Sequence, residues 1–214
     1  MADKKNQHYV PQSYLRPWAD ERDRTVAFIP ANDEEYQNIS IGNVASSDYF
    51  YSKETELEDK IGLIEDQQER VLEKVRNSYS NFPDLSNAEI RYFKSFILFQ
   101  RFRTNAVLQD VSQTGEVFAE EVADTVDVEV DDIRDWTDNF QRLMKRMMLH
   151  SILNPGLLSD LSVLLLIDTT GTHFITSETP ILFDNPAGFT SVAGVANAGL
   201  QVFVLSPPHT VFCF

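Results

Sequence analysis

The chain has 214 residues and a mass of 24.4 kDa, a length that fits one large domain. Hydrophobic residues make up 43% and charged residues 24%, which excludes a wholly disordered, collagen-like or low-complexity chain. Its longest strongly apolar stretch, residues 161–167, is far shorter than the ~20 residues of a membrane-spanning helix, and the first residues contain no apolar signal core. The single cysteine, Cys213, excludes an intramolecular disulfide and a multi-cysteine zinc site. We therefore expect a cytoplasmic protein without a membrane partner.

The net charge of -15 is concentrated in one segment. Residues 109–139 contain 11 acidic residues and one basic residue, Arg134, and so carry -10 of the total. The remainder is only mildly acidic and leaves room for a local basic pocket. Broad binding to a DNA backbone is not expected, because it requires a continuous Lys/Arg surface. The segment itself predicts a solvated helical face, or alternatively a surface that docks a protein partner or mimics a nucleic acid.

The first third of the sequence predicts two strands followed by a long helix. Residues 24–30 and 36–44 carry β-branched residues between turn-formers, a pattern typical of short strands. From Thr55 onward, apolar residues recur at helical spacing, and Thr55 and Glu58 match a capping box at the start of this helix.

A second long helix is predicted after a break at residues 81–85. Ser86 and Glu89 match another capping box, and the aromatic-rich run that follows predicts a helix through Leu108. A helical pattern returns in residues 133–147, beyond which an Asn-Pro-Gly sequence ends the helical half.

The last third predicts strands. Residues 162–168 and 172–177 are typical of a hairpin of buried strands, and residues 183–199 are typical of a long loop. Residues 199–205 and 210–214 are apolar again. Because chain termini are seldom so apolar, we expect either a final strand held in a sheet or a chain truncated at its C-terminus.

Together these elements predict an α+β fold. N-terminal strands and a central bundle of long helices would pack on a small, mainly antiparallel sheet formed largely by the C-terminal third. We expect a single domain over residues 1–214, with a helical region at about 53–154 and a β-rich region at about 160–214.

The most specific string in the sequence is HYVPQSYLR, residues 8–16, which combines an imidazole, two phenols, an amide and a guanidinium. Pro11 favours extended backbone at Val10, so the string should begin extended and then turn into a short helix. This HYVPQ-x-YLR opening, called the HYVPQ motif below, resembles that of a bacterial and phage family catalogued as domain of unknown function 4238.

Four further elements extend this resemblance over most of the chain. They are the pair Leu57-Glu58 and Ile64-Glu65, the dipeptide Arg103-Thr104, the string Phe174–Pro180 (FITSETP) and the string Leu205–Pro207 (LSP). The family more often has aspartate where Glu178 stands, and its members usually continue well beyond the LSP element. The resemblance implies a mixed α+β fold in an intracellular microbial or phage protein, and it leaves the activity unassigned.

Polar residues beside apolar stripes are the first candidates for a site. Glu58 and Glu65 lie on nearly the same side of the first long helix, at the margin of its apolar stripe. On the second long helix, Gln100 and Thr104 interrupt an apolar face that Arg101 and Arg103 flank on opposite sides. Because buried polar groups need partners, we expect Gln100, Thr104 and one arginine to meet a glutamate or the HYVPQ motif. Such a network is either purely structural or part of a ligand site.

Residues shortly before prolines are further candidates. Ser177 and Glu178 lie where a predicted strand ends, and Ser206 repeats the pattern; a strand end can deliver side chains into a cleft. The sequence has no GxSxG elbow and no phosphate-cradling glycine motif, so serine hydrolysis is not favoured. His8 with the glutamates offers donors suited to Mg or Mn, although no ligand spacing typical of a metal site supports this.

The leading hypothesis is an enzyme-like pocket that binds a phosphorylated or nucleotide-like ligand, with a hydrolase or nuclease type of activity in defence or toxin action. His8 would act as general acid or base, and one of three glutamates would orient it or hold a divalent metal (Mg or Mn): Glu58, Glu65 or Glu178. Arg16 and Arg103 would clamp the anion. The candidate ligand-binding residues are Tyr9, Gln12, Tyr14, Arg16, Glu58, Arg103, Thr104, Ser177 and Ser206.

The alternative hypothesis is a non-enzymatic interaction factor that docks a protein partner through residues 109–139. In that case the polar residues of the HYVPQ motif would only lock the fold. A homo-oligomer is a further expectation, because a second copy would cover the apolar C-terminal end.

Overall fold

The computed structural model of the chain combines helices with small antiparallel sheets, in agreement with the predicted mixture of α and β structure. The residues it describes are 5–50, 55–78, 83–105, 107, 109, 113, 146, 148–150, 152, 154–159, 161–162, 164–167, 174–184, 201–206 and 210–213. All but a few residues of the acidic segment 109–139, of the predicted helix 133–147 and of the predicted loop 183–199 lie outside this set.

Two small antiparallel sheets form the N-terminal part. Strand β1 (Asn6–His8) pairs with β4 (Ser46–Asp48), and β2 (Arg24–Ile29) pairs with β3 (Glu34–Ser40). Asn38 has a φ of 58° in the stretch where the β2–β3 register shifts, a conformation that asparagine tolerates better than most residues. The two predicted strands are thus confirmed, except that the second ends at Ser40 and residues 41–43, which the prediction included, form a 3-10 turn.

Helix α2 (Thr55–Arg76) confirms the first predicted long helix. Its buried apolar side chains recur at helical spacing and face the core: Ile61, Val71, Leu72 and Val75. The side chain of Glu58, and with it the predicted capping box, lies outside the described residues.

Helix α3 (Asn87–Phe102) is the central helix of the described fold. It begins with the predicted capping box: the Glu89 amide donates to the Ser86 hydroxyl at 3.3 Å, and the Glu89 carboxylate accepts from the Ser86 amide at 2.8 Å. Every residue from Phe93 to Gln100 is buried, polar ones included. A helix enclosed on all its faces must satisfy these polar side chains internally.

Polar contacts show that α2 and α3 are antiparallel. Gln68 Nε2 donates to Ser95 Oγ at 3.1 Å, and the ammonium of Lys74 pairs with the Glu89 carboxylate. Residues later in α2 therefore contact residues earlier in α3, as in an antiparallel pair of helices. Glu89 therefore joins the two helices as well as capping α3.

The second long helix is shorter than predicted. A helix through Leu108 was expected, but α3 ends at Phe102, and Arg103 has φ and ψ values of -103° and 32°. A new helical stretch follows Thr104, whose hydroxyl accepts from the Val107 amide at 3.2 Å, as an N-cap residue does. Apolar periodicity continues across this break, so it conceals the point where one helix ends and the next begins.

Lys94 ties α3 to the segment that follows the helical half. Its buried ammonium donates to the carbonyls of Leu158, Ser159 and Leu161 at 2.6, 3.4 and 3.2 Å. These carbonyls lie in and just after a 3-10 turn, Pro155–Leu158. A buried lysine is thus satisfied by backbone acceptors at the end of a turn.

The C-terminal strands pair differently from the prediction. Four strands lie in the order β5 (Leu164–Ile167), β8 (Thr210–Cys213), β7 (Gln201–Ser206) and β6 (Ile181–Asp184), all antiparallel. The predicted hairpin of residues 162–168 and 172–177 is wrong, because β5 pairs with β8 and residues 174–177 form no strand. Local strand propensity identified β5 but carried no information about its distant partner.

Within the part of the chain that the structure describes, no helix is both long and apolar enough to cross a membrane.

We predict that Glu89 stabilises the fold only above acidic pH. The Lys74 ammonium and the Ser86 hydroxyl and amide lower the pKa of Glu89 to about 2 from its ordinary 4.5. Because the folded-state pKa is the lower one, this contribution to the free energy of unfolding is present above about pH 4.5 and is lost as the pH falls towards 2. Wild type and Glu89→Gln should therefore differ in urea-unfolding free energy at pH 6 and converge near pH 2; a constant difference would contradict the assignment.

Candidate functional site

The backbone of the HYVPQ motif is fixed at the edge of the first sheet. His8 ends β1, and the Tyr9 amide donates to the Ala45 carbonyl at 3.0 Å. Ala45 has a φ of 52°, an uncommon conformation for alanine. After Pro11 the chain turns into helix α1 (Gln12–Leu15), so the predicted change from extended backbone to short helix is confirmed.

Arg103 is buried beneath this motif with 2% of its surface exposed. Its Nη1 forms an ion pair with the carboxylate of Glu65 on α2. Its Nη2 donates to the His8 carbonyl at 2.5 Å, and the guanidinium lies 4.8 Å from the centre of the Phe99 ring. One side chain therefore joins the end of α3 to α2 and to the HYVPQ motif.

Gln100, one turn earlier on α3, holds the next carbonyl of the motif. It is fully buried, and its Nε2 donates to the Tyr9 carbonyl at 2.7 Å. Two successive motif carbonyls thus accept from two successive polar side chains of one helix face. The contacts predicted for Gln100 and an arginine with a glutamate and the motif are present, whereas the Thr104 hydroxyl, predicted to join them, accepts from the Val107 amide.

The His8 imidazole lies partly buried beside the Arg103–Glu65 pair. Burial lowers its pKa below the ordinary value, and the Arg103 charge adds to the decrease. The carbonyls of Ile41 and Gly42 and the Glu65 carboxylate oppose it. His8 is therefore mainly neutral at pH 7, and its Nδ1 lies 3.4 Å from Gln12 Nε2.

Three aromatic side chains in and just after the motif contact the FITSETP element. The Tyr9 hydroxyl donates to Glu178 Oε2 at 3.1 Å, and the Tyr14 hydroxyl lies 3.0 Å from Thr176 Oγ1. Trp18 Nε1 donates to the carbonyl of Phe174 at 2.9 Å.

Burial chiefly accounts for a raised pKa at both Tyr9 and Tyr14. At Tyr9 the Glu178 carboxylate raises the pKa further, whereas at Tyr14 the hydrogen bond to Thr176 and the charge of Arg76 act in the opposite direction. Both phenols therefore stay protonated at neutral pH.

Other predicted residues lie outside this network. Arg16 is exposed, and its Nε pairs with Asp23 at 3.3 Å. Thr104 caps the helical stretch that follows it. Ser177 is exposed and forms a local turn, accepting from the Thr179 amide at 3.1 Å, rather than ending a strand. Ser206 ends β7, and its side chain, like that of Glu58, lies outside the described residues.

Sequence reasoning missed Trp18 and Thr176 as members of the network. Trp18 lies only two residues beyond Arg16. A partly buried indole usually has a hydrogen-bond acceptor, and this general rule was the signal that could have identified Trp18 as a member of the network. Thr176 belongs to the FITSETP string, but nothing in the string identifies which residues face the motif. No sequence pattern pairs either residue with its partner more than 150 positions away.

The arrangement offers proton transfer more readily than metal chemistry. Among the described residues, no three His, Cys, Asp or Glu side chains lie close enough together to hold a metal ion, so His8, Glu65 and Glu178 do not form a three-donor site. A neutral imidazole beside a buried guanidinium–carboxylate pair can accept a proton at neutral pH.

We predict that the Arg103–Glu65 pair is strongly coupled. Arg103→Met leaves the Glu65 carboxylate without its cationic partner and should lower the free energy of unfolding by about 3 kcal/mol. The double variant Glu65→Met/Arg103→Met should lose clearly less than the sum of the two single variants, as measured by urea unfolding.

The matched control is Arg16→Met, which removes an exposed arginine from an exposed ion pair. It should change the free energy of unfolding by less than about 1 kcal/mol. Additive effects of the Arg103 and Glu65 substitutions would contradict the coupling.

Comparison with known proteins agrees with the motifs. No curated protein and no solved structure matches the chain. The family model described as "Protein of unknown function (DUF4238)" matches residues 6–214, which includes every element of the network above. The chain therefore belongs to the DUF4238 family.

Proposed function

We propose that the chain is an enzyme-like domain in which His8 transfers a proton during hydrolysis of a phosphorylated or nucleotide-like ligand. The observation that carries the proposal is the partly buried position of His8 beside the Arg103–Glu65 pair. Burial is the main cause of its lowered pKa, and the imidazole is therefore mainly neutral at pH 7. A neutral imidazole near the working pH is the form required of a general base.

The two arginines have different parts in this proposal. Arg103 is already paired with Glu65 and holds the His8 carbonyl, so it positions His8 rather than contacting the ligand. Arg16 is 61% exposed and paired with an exposed carboxylate, a weak pair that an anionic ligand can displace. Arg16 is therefore the anion contact of the proposed site.

Further residues complete the proposed site. Tyr9, Gln12 and Tyr14 lie on the motif itself, and Glu178 is held against Tyr9. Glu58, Ser177 and Ser206 stay proposed ligand contacts because each lies in one of the elements that carry the family resemblance. The proposal treats residues 1–214 as one cytoplasmic domain, with its helices packed on the C-terminal sheet.

A second proposal is an interaction factor that docks a basic protein partner through residues 109–139. It is favoured by one observation, the charge of -10 on this segment. Reversing several of these acidic charges would then abolish capture of the partner, whereas His8 variants would leave it unchanged.

We predict that hydrolysis depends on His8 and follows its neutral form. The probes are p-nitrophenyl phosphate and bis(p-nitrophenyl) phosphate, a monoester and a diester. His8→Gln should lower the rate by at least about a hundredfold, because it removes the proton-transfer group. The wild-type rate should rise with pH through an apparent pKa below 6.5 and stay high at neutral pH, since burial lowers the His8 pKa.

The matched control is His150→Gln. His150 is exposed and contacts Asn154, and neither residue belongs to the HYVPQ motif. Its replacement should therefore leave the rate unchanged. A wild-type protein that cleaves neither ester, or a His8→Gln variant as active as wild type, would contradict the proposal.

A further inference from the structure

The FITSETP element, residues 174–180, is attached to the HYVPQ region in an unusual way, and we call it the strap. Three aromatic side chains form hydrogen bonds with every second residue of the strap: Trp18 with Phe174, Tyr14 with Thr176 and Tyr9 with Glu178. Contacts at every second residue are the pattern of an extended chain lying along a surface. The strap thus resembles a strand whose neighbour is a row of aromatic side chains instead of another strand.

The described residues provide the strap with few other contacts. Within the described residues, its backbone forms no hydrogen bond with the backbone of another element. Its outward side chains are exposed, and Ile175 is 82% exposed. Its C-terminal end is anchored, because Pro180 is buried and leads into β6. Segments with few backbone hydrogen bonds and exposed side chains open at lower free energy than the rest of a fold.

The strap covers the hydroxyl groups of two buried tyrosines. Tyr14 is 1% exposed and Tyr9 is 7% exposed, and each uses its hydroxyl to hold the strap. If the strap detaches, both hydroxyls lose the contact that the strap supplies and become available to a ligand. A buried phenol hydroxyl usually keeps a hydrogen-bond partner, and a polar ligand group can take the place of the strap in that role.

We propose that the strap, which lies between β5 and β6 along the chain, detaches and reattaches as one unit, and that its opening exposes the hydroxyls of Tyr9 and Tyr14 for ligand binding. The link to a ligand rests on the proposed function. The opening itself is a property of the fold, so it is tested without ligand or activity.

The test uses the indole N–H of Trp18, which donates to Phe174 at one end of the strap. Its rate of hydrogen exchange, measured by NMR, reports detachment of that end. The variant Tyr9→Phe removes the hydroxyl that holds Glu178 at the other end and keeps the ring that packs against Phe50. If the strap moves as a unit, Tyr9→Phe should speed exchange at Trp18 by about tenfold or more.

Two references separate strap opening from general loosening. The buried amide of Ile97 in α3 reports global unfolding and should be unaffected by Tyr9→Phe. The matched control is Tyr36→Phe, which removes another tyrosine hydroxyl that donates to a glutamate, here Glu34 on the β2–β3 hairpin. It should leave the exchange of Trp18 unchanged.

Three outcomes would overturn the proposal. Trp18 exchange that is unaffected by Tyr9→Phe would mean that the contacts act independently. Equal acceleration at Trp18 and Ile97 would mean that the whole fold loosens. Acceleration by Tyr36→Phe as well would mean that the effect is not specific to the strap. Because none of these measurements involves hydrolysis, failure here leaves the proposed role of His8 to its own test.

Discussion

The buried guanidinium of Arg103 is the constraint on which the described fold depends. A charge removed from water must be paired and hydrogen-bonded, and Arg103 meets this requirement with the Glu65 carboxylate and the His8 carbonyl. These partners belong to α2 and to the end of β1, so the arginine can be satisfied only when α2, α3 and the HYVPQ motif are all in place. Its backbone leaves the helical conformation at this point, and Thr104 restarts the chain as an N-cap.

The same constraint gives the proposed site its chemistry. The motif carbonyls are held from below by Gln100 and Arg103, so the side chains on either side of them are presented in fixed positions. His8 lies beside the ion pair and is kept neutral, whereas Tyr9 is directed to the strap. One short string of sequence therefore contacts both the helical core and the strap.

Sequence reasoning succeeded where the cause is local and failed where it is distant. Apolar periodicity located α2, and the Ser86–Glu89 capping box located the start of α3, because both depend on neighbours within a few residues. The need of Gln100 for a partner indicated a network with the motif. The end of α3 was missed because apolar periodicity continues across the break at Arg103. The pairing of β5 with β8 and the contacts of the strap with Tyr14 and Trp18 join residues far apart in the chain, and no local pattern encodes them.

The most direct test of this account is amide hydrogen exchange in wild type and in Arg103→Lys. Lysine keeps the positive charge, but it lacks the planar guanidinium whose two nitrogens contact the Glu65 carboxylate and the His8 carbonyl. If Arg103 joins the three parts, exchange should accelerate together at Tyr9 in the motif, at Gln68 in α2 and at Val107 after the helix break. Acceleration confined to Val107, with Tyr9 and Gln68 unchanged, would contradict the central role of Arg103.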